Sequence, residues 1–252
     1  MKGVILAGGL GNRPHPLTRI TNKHLLPIHD RPMVTYAIEA LVGAGVMEMM
    51  LVTGGTHAGE FLRLLGNGHE YGIDRLLYAY QDEPGGIAQA LGLARRFVGS
   101  DRMVVMLGDN IIERSLRPTV ERFERQERDG RILLTEVLDP SHLQHLGVPA
   151  FDPSGGITRV VEKPQSPPSR FAVTGIYFYQ ASVFDILPDL KPSHRGELEI
   201  TDVNNSLIDR GSMEWEVLDG FWGDAGESID AYYTVNDFVR KHGANKPPDG
   251  SG

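Results

Sequence analysis

The chain has 252 residues, of which 40% are hydrophobic and 23% are charged, so it can bury the core of one large α/β domain or of one domain with an insertion. Its formal net charge of −8 argues against a nucleic-acid partner, because phosphate backbones are bound mainly by clustered Lys and Arg. The absence of cysteine excludes disulfides, thiolate metal sites and cysteine nucleophiles. No apolar run approaches membrane-spanning length and no signal-peptide pattern is visible, so we predict a cytoplasmic protein with no membrane partner.

The first predicted element is a strand at 4–6 that opens into a glycine-rich turn. Gly8, Gly9 and Gly11 follow it where the chain must turn sharply and let a ligand approach its backbone. Successive N–H groups in such a turn form an anion site, and the guanidinium of Arg13 adds a planar fork of donors for phosphate oxygens. The turn is neither a Walker loop nor a complete dinucleotide fingerprint. Taken alone, the segment also allows a purely steric reason for its glycines.

Apolar, β-rich runs then alternate with helical patterns, which favours an α/β, Rossmann-like fold with a mixed, mostly parallel sheet flanked by helices. The predicted helices are 33–42, 58–65 and 87–97, and the predicted strands between them are 47–52, 76–80 and 102–107. The last of these strands leads into Gly108-Asp109-Asn110. Asp109 is therefore expected at the carboxyl end of a central strand, where open α/β sheets bind ligands.

The pattern changes after residue 130 to shorter, hairpin-like strands separated by turns. We predict strands at 131–137, 147–151, 157–162 and 171–179, which would form a β-rich extension covering one side of the site. The polar, Gly- and Pro-rich segment 242–252 is predicted to be a disordered tail.

Eight segments occur in the order found in sugar-1-phosphate nucleotidylyltransferases: AGGLGNRPHPLT, KHLLPIHDRPMVTYAIEAL, QDEPGGIAQAL, LGDNI, VEKP, VTGIYFY, LKPSHRGELEITDVN and FWGDAG. The chain resembles this family from Lys2 to about Phe238, and within the family it resembles the thymidylyltransferase branch. The resemblance implies transfer of a nucleoside monophosphate from dTTP, or UTP, to a sugar 1-phosphate, with release of pyrophosphate. It further implies Mg²⁺ as cofactor, a homo-oligomer, and one nucleotidyltransferase domain at 1–241, with a nucleotide-binding part at about 1–130 and a sugar-binding part at about 131–230.

Residue roles also follow from the resemblance. The implied catalytic cations are Arg13, Lys23 and Lys163. The implied nucleotide-binding residues are Leu6, Gly8, Gly9, Gly11, Gln81, Gly86 and Asp109. The implied sugar-binding residues are Gly147, Glu162, Lys163 and Thr174. Asp109 and Asp224 are the implied Mg²⁺ ligands, because Mg²⁺ prefers a few carboxylate oxygens with water and substrate phosphate completing its shell.

Several positions keep other interpretations open. Asp109 and Asp224 each stand beside glycine and could serve only to stabilise turns. Glu197 and Glu199 are assigned a structural role near the start of a helix, and the nine histidines are assigned no metal.

Substrate and class also have alternatives. Leu146 stands where the thymidylyltransferases often carry Tyr beside the sugar, so glucose 1-phosphate is the first candidate and another sugar 1-phosphate the second. A protein that binds sugar nucleotides without turning them over is an alternative of a different class. The longer relatives form an allosteric site with a C-terminal extension, and we expect no feedback control of that kind here.

Overall fold

A computed structural model describes residues 1–9 and 14–247 of the chain. Within these residues the helices are α1 (Met33–Gly43), α2 (Ala58–Leu65), α3 (Ile87–Gly92), α4 (Arg95–Val98), α5 (Arg117–Glu124), α6 (Ile200–Asp209) and α7 (Ile229–His242). The strands are β1 (Lys2–Leu6), β2 (Pro27–Ile28), β3 (Arg31–Pro32), β4 (Glu48–Gly54), β5 (Arg75–Gln81), β6 (Met103–Leu107), β7 (Asn110–Ile112), β8 (Gly130–Glu136), β9 (Gly147–Phe151), β10 (Ile157–Glu162), β11 (Phe171–Tyr179), β12 (Met213–Val217) and β13 (Trp222–Asp224).

The central sheet has seven strands in the order β12-β8-β11-β6-β1-β4-β5. Strand β11 is antiparallel to both of its neighbours, and the other neighbouring strands pair in parallel. Helices cover both faces, so the side chains of β1 and of the residue after it alternate between two separate hydrophobic cores: Val4 and Leu6 face one, Ile5 and Ala7 the other. The predicted mixed, mostly parallel α/β sheet is confirmed.

The β-rich extension is arranged differently from the prediction. Strands β8 and β11 belong to the central sheet, and β9 and β10 form a separate antiparallel pair. That pair packs against β11 on one side and against α6 on the other. Residue alternation predicts each strand but not its partner, because pairing across tens of residues is decided by packing that no local pattern carries.

Two boundaries also differ from the sequence-based expectation. The predicted helix at 87–97 is divided into α3 and α4, since the N–H groups of Leu93 and Ala94 donate to carbonyls only three residues back in a tight turn. The predicted disordered tail at 242–252 is wrong for its first part. His242 ends α7, and the side chain of Asn245 donates a hydrogen bond to the carbonyl of Tyr36. The backbone of Lys246 forms an isolated parallel β-bridge with the backbone of Arg114. Residues 248–252 lie outside the described part of the chain.

Strand register brings the candidate site residues to one edge of the sheet. Leu6 of β1 lies opposite Leu107 of β6, so Gly8 and Asp109, each two residues further on, leave the sheet side by side. On the other side, Gly54 at the end of β4 lies opposite Gln81 at the end of β5. The carboxyl ends of parallel strands thus form one wall of a cleft. No helix in the described ranges is long and apolar enough to cross a membrane.

Candidate active site

A cavity of about 280 Å³ opens at this carboxyl edge. Most of the residues assigned to the site from the sequence line it: Leu6, Gly8, Gly9, Lys23, Gln81, Gly86, Asp109, Gly147, Glu162, Lys163 and Asp224. Gly11 and Arg13 lie outside the residues that the structure describes, so their roles stay predictions. The cavity therefore unites residues from both predicted parts of the domain.

The prediction for Thr174 is corrected. Val173, Gly175 and Tyr177 line the cavity at a spacing of two, whereas Thr174 points to the opposite face of β11. Its side chain is fully buried and its hydroxyl donates to the carbonyl of Leu133, 3.0 Å away. Thr174 therefore joins β11 to β8 instead of lining a sugar pocket.

One end of the cavity is formed by the loop between β5 and α3. The loop crosses the backbone of Leu198 so closely that a Cβ at Gly86 would lie 2.4 Å from the Leu198 carbonyl oxygen. Leu198 is held there by its N–H donating to Gly85 and by its carbonyl accepting from Ala88. Gly86 also has a φ of +96°, which L side chains rarely adopt. Two independent constraints thus require glycine at this position.

Gly86→Ala is expected to destabilise the protein by about 1–3 kcal/mol, since a Cβ must displace either the loop or Leu198. Thermal unfolding measures the effect. The matched control is Gly59→Ala on α2, where a Cβ meets nothing within 4 Å and φ is not positive. That change is expected to be neutral or stabilising. Equal behaviour of the two variants would contradict this account of Gly86.

Two carboxylates meet in the middle of the site. Strand β13 pairs antiparallel with β7, which places Asp224 opposite Asn110. The next N–H along, that of Ala225, donates to the backbone carbonyl of Asp109 at 3.0 Å. A Cβ at Gly226 would lie 2.5 Å from Asp109 Oδ2, so the 224–226 turn packs directly on that carboxylate. Residues 115 positions apart in sequence therefore form one acidic pair.

The surroundings of the two acids differ. Asp109 is buried, and its Oδ2 lies 2.5 Å from Lys23 Nζ while its Oδ1 accepts from Asn110 Nδ2 at 3.1 Å. Burial alone would raise the pKa of Asp109, but the charge and hydrogen bond of Lys23 outweigh burial and hold that pKa below its usual range. Asp224 is half-buried, and its side chain lines the cavity. Desolvation, followed by the negative charge of Asp109, raises the pKa of Asp224 above its usual range.

A histidine beside this pair carries no charge. His24 is buried, and burial together with the charge of Lys23 lowers its pKa to about 3. Its Nδ1 lies 2.7 Å from Asn22 Oδ1, which orients the ring. The 3.9 Å approach of His24 Nε2 to Asp109 is therefore not an ion pair, and Lys23 is the cation that faces the acid.

The acidic pair fits a divalent cation whose shell is completed by substrate. No cluster of three or more Asp, Glu, His or Cys side chains with metal-binding geometry occurs within residues 1–9 and 14–247. Mg²⁺, however, is commonly held in enzyme sites by one or two carboxylates, with phosphate oxygens and water as its other ligands. The repulsion that raises the pKa of Asp224 is the kind that a bound dication relieves.

Glu162 and Lys163 form the opposite wall at the end of β10. Glu162 accepts a 2.6 Å hydrogen bond from the hydroxyl of Thr201 through Oε2, while its Oε1 lies 3.4 Å from Lys163 Nζ. Lys163 has a left-handed φ of 44°, which is uncommon for a residue with a side chain, and its N–H donates to the carbonyl of Leu146. Backbone strain of this kind is retained where it aims a side chain. Here it holds a cation at the cavity beside Glu162.

The sequence did not single out an arginine in this wall. Arg195 Nη2 contacts both carboxylate oxygens of Glu199 at 2.8 Å, lies 3.2 Å from Glu197 and lies 3.8 Å from Glu162. The structural role assigned to Glu199 agrees with this pairing, but Glu197, Glu199 and Arg195 also line the cavity. In the sequence these three residues belong to the run HRGELE before α6. That run predicts only a charged turn, because its position beside the cavity depends on the fold. Other cavity residues not assigned from the sequence include His145, Tyr177, Asn110 and Trp222.

Asn110 links three parts of this site. Its Oδ1 accepts from the N–H of Gly175 at 2.9 Å and from the indole of Trp222 at 2.6 Å, so its amide nitrogen must face Asp109. The buried side-chain amide of Asn110 thus connects β11, β13 and Asp109. An open α/β sheet with a glycine-rich first turn, an acidic pair and cations in one cleft is the arrangement of a protein that binds nucleotide phosphates.

Comparison with known proteins agrees with that class. The family model described as nucleotidyl transferase matches residues 2–242. The chain is 42% identical to a glucose-1-phosphate thymidylyltransferase of Mycolicibacterium smegmatis. The match covers 95% of this chain and 82% of the relative. It is 40% identical to a low-salt glycan biosynthesis nucleotidyltransferase of Haloferax volcanii, covering 91% of the chain but only 64% of that relative. The chain belongs to the nucleotidyl transferase family.

Solved structures show the same fold. A crystal structure from Bacillus anthracis, described as a glucose-1-phosphate thymidylyltransferase in complex with sucrose, superposes with a TM-score of 0.89 at 45% identity and covers 95% of both chains. A UDP-glucose pyrophosphorylase complexed with UDP-glucose superposes with a TM-score of 0.81 at 25% identity, covering 95% of this chain and 98% of the other. The fold is thus that of nucleotidyltransferases.

Proposed function

We propose that the protein transfers thymidine monophosphate from dTTP to a sugar 1-phosphate, releasing pyrophosphate and forming a dTDP-sugar. The observation that carries this proposal is the placement of Lys23, Asp109, Asp224 and Lys163 around one cavity, with the Gln81–Gly86 loop at one end and Glu162 in the wall beside Lys163. The names of the thymidylyltransferase relatives support dTTP and glucose 1-phosphate as the first pair of substrates.

The chemistry requires charge stabilisation more than proton transfer. A sugar phosphate is an anionic nucleophile at neutral pH, so its attack on the α-phosphorus needs no general base. The bond from the sugar phosphate oxygen to the α-phosphorus forms as the bond to the pyrophosphate oxygen breaks. The site must hold two anions in line and stabilise the charge that spreads over the phosphoryl oxygens.

The side chains divide this task. Lys163 binds the phosphate of the sugar substrate, and Glu162, oriented by Thr201, accepts hydrogen bonds from sugar hydroxyls. Lys23 lies beside the phosphates of the nucleotide, where its salt bridge to Asp109 fixes its position. Asp109 and Asp224 would hold Mg²⁺, which would supply positive charge against the bound phosphates. The predicted contact of Arg13 with the departing pyrophosphate completes the proposal.

A pyrophosphate-release screen tests the proposed function. The purified protein is assayed with Mg²⁺ against dTTP, UTP, dCTP, ATP and GTP, each paired with several hexose, amino-sugar and heptose 1-phosphates. We expect the highest kcat/KM for dTTP with one sugar 1-phosphate, and lower values with UTP. A purine preference would contradict the assignment of the base. Binding of a sugar nucleotide, without turnover of any pair of nucleotide and sugar 1-phosphate, would favour the alternative of a protein that binds sugar nucleotides without catalysis.

A further inference from the structure

The carboxamide of Gln81 is held in one orientation by a backbone carbonyl of the neighbouring loop and by a side chain of α3. Its Nε2 donates to the carbonyl of Gly86 at 3.2 Å and to the side-chain Oε1 of Gln89 at 2.8 Å. A backbone carbonyl only accepts, so the amino group of Gln81 must face Gly86. Turning the carboxamide over would place its oxygen against two acceptors.

Gln89 is oriented in the same way. The N–H of Gly85 donates to Gln89 Oε1 at 3.1 Å, and a backbone N–H only donates, so the oxygen of Gln89 must face both Gly85 and Gln81. The side chain lies flat on the loop, where a Cβ at Gly85 would come within 2.3 Å of it. Gln89 is the third residue of α3, and its side chain does not line the cavity.

These bonds leave Gln81 one polar atom for a ligand. Both hydrogens of Nε2 are used within the protein, and no donor in the described ranges bonds to Oε1. Gln81 is 8% exposed and lines the cavity, and a Cβ at Gly8 would lie 2.9 Å from its Oε1. The cavity therefore presents an acceptor from this residue, beside the backbone of Gly8.

We propose that Gln89 is a positioning residue that fixes Gln81 as a pure acceptor, so that the site selects a pyrimidine carrying a hydrogen at N3 over one carrying a lone pair there. Thymine and uracil donate from N3, whereas cytosine has an acceptor at that atom. A cytosine base would face Gln81 Oε1 with a second acceptor and leave the contact unmade. The inference rests on the proposed function and adds a role for Gln89, whose side chain orients Gln81 and thereby determines which base is preferred.

The test compares Gln89→Leu with Gln89→Glu. Leucine removes one of the two acceptors that face Nε2, so only the Gly86 carbonyl still opposes turning the carboxamide over to present its N–H groups to an acceptor on the base. Glutamate keeps an oxygen for Gly85 and Gln81 and is the matched control. Because Gln89 is exposed and water competes for its bonds, we expect Gln89→Leu to lower the dTTP-to-dCTP ratio of kcat/KM by roughly threefold to tenfold, with Gln89→Glu within about twofold of the wild type.

A general loss of stability would lower turnover of both nucleotides and leave their ratio unchanged. An unchanged ratio in Gln89→Leu, or an equal loss in Gln89→Glu, would overturn the inference while the proposed function stands. Equilibrium binding of dTDP and dCDP to the same three proteins provides a second ratio that needs no turnover. If no sugar 1-phosphate is converted, the proposed function fails, and the binding ratio still decides the role of Gln89.

Discussion

Replacing Asp224 by Asn is expected to lower kcat/KM by at least about a hundredfold while the protein stays folded. The Oδ1 atom of Asp224 accepts a 2.8 Å hydrogen bond from the N–H of Gly226, and an asparagine oxygen accepts the same bond. The substitution therefore removes a charge and a metal ligand but keeps the turn. Turnover as a function of Mg²⁺ concentration measures the loss, which high Mg²⁺ is expected to restore only in part.

The stability of this variant separates the two interpretations of Asp224. A desolvated carboxylate next to Asp109 is unfavourable, so removal of its charge is expected to leave the melting temperature unchanged or to raise it. Asp219→Asn is the matched control, because Asp219 is exposed and lies outside the cavity. Wild-type turnover and an unchanged Mg²⁺ requirement in Asp224→Asn would reduce Asp224 to a turn-forming residue.

Lys163→Met is expected to cost about a hundredfold or more in kcat/KM, because it removes a preorganised cation from the nucleophile's phosphate. Methionine keeps most of the length and leaves Glu162 with its hydrogen bond to Thr201. Steady-state kinetics with the sugar 1-phosphate varied at saturating nucleotide measure the effect. Lys191→Met, at an exposed lysine outside the cavity, is expected to behave as wild type. Near-wild-type kinetics of a folded Lys163→Met would remove this lysine from the site.

Local patterns predicted the elements of the fold better than their partners. The helix at 58–65 was predicted with its observed bounds, and the strand at 102–107 within one residue, because amphipathic spacing and apolar runs are local signals. The pairing of β11 between β6 and β8 and the separate β9–β10 pair depend on contacts between distant segments. The contacts of Asn245 and Lys246 after α7 were missed for the same reason.

The candidate site shows a similar division. The resemblance gave residue types at family positions, and all of the assigned residues in the described ranges line the cavity except Thr174. What the sequence did not predict is the direction of each side chain: Val173, Gly175 and Tyr177 of β11 face the cavity, whereas Thr174 faces away from it and bonds to β8. Arg195 and Gln89 were also missed, because their roles come from contacts that only the folded chain creates.

The path of the transferred phosphorus tests the central claim most directly. With dTTP labelled at the α-phosphorus and a sugar 1-phosphate accepted in the screen, the account predicts that the label appears in the dTDP-sugar and that the pyrophosphate carries none. With the label at the γ-phosphorus, all of it is expected in pyrophosphate. Transfer of the γ-label to the sugar, or release of the α-label as thymidine monophosphate without a sugar product, would contradict nucleotidyl transfer at this site.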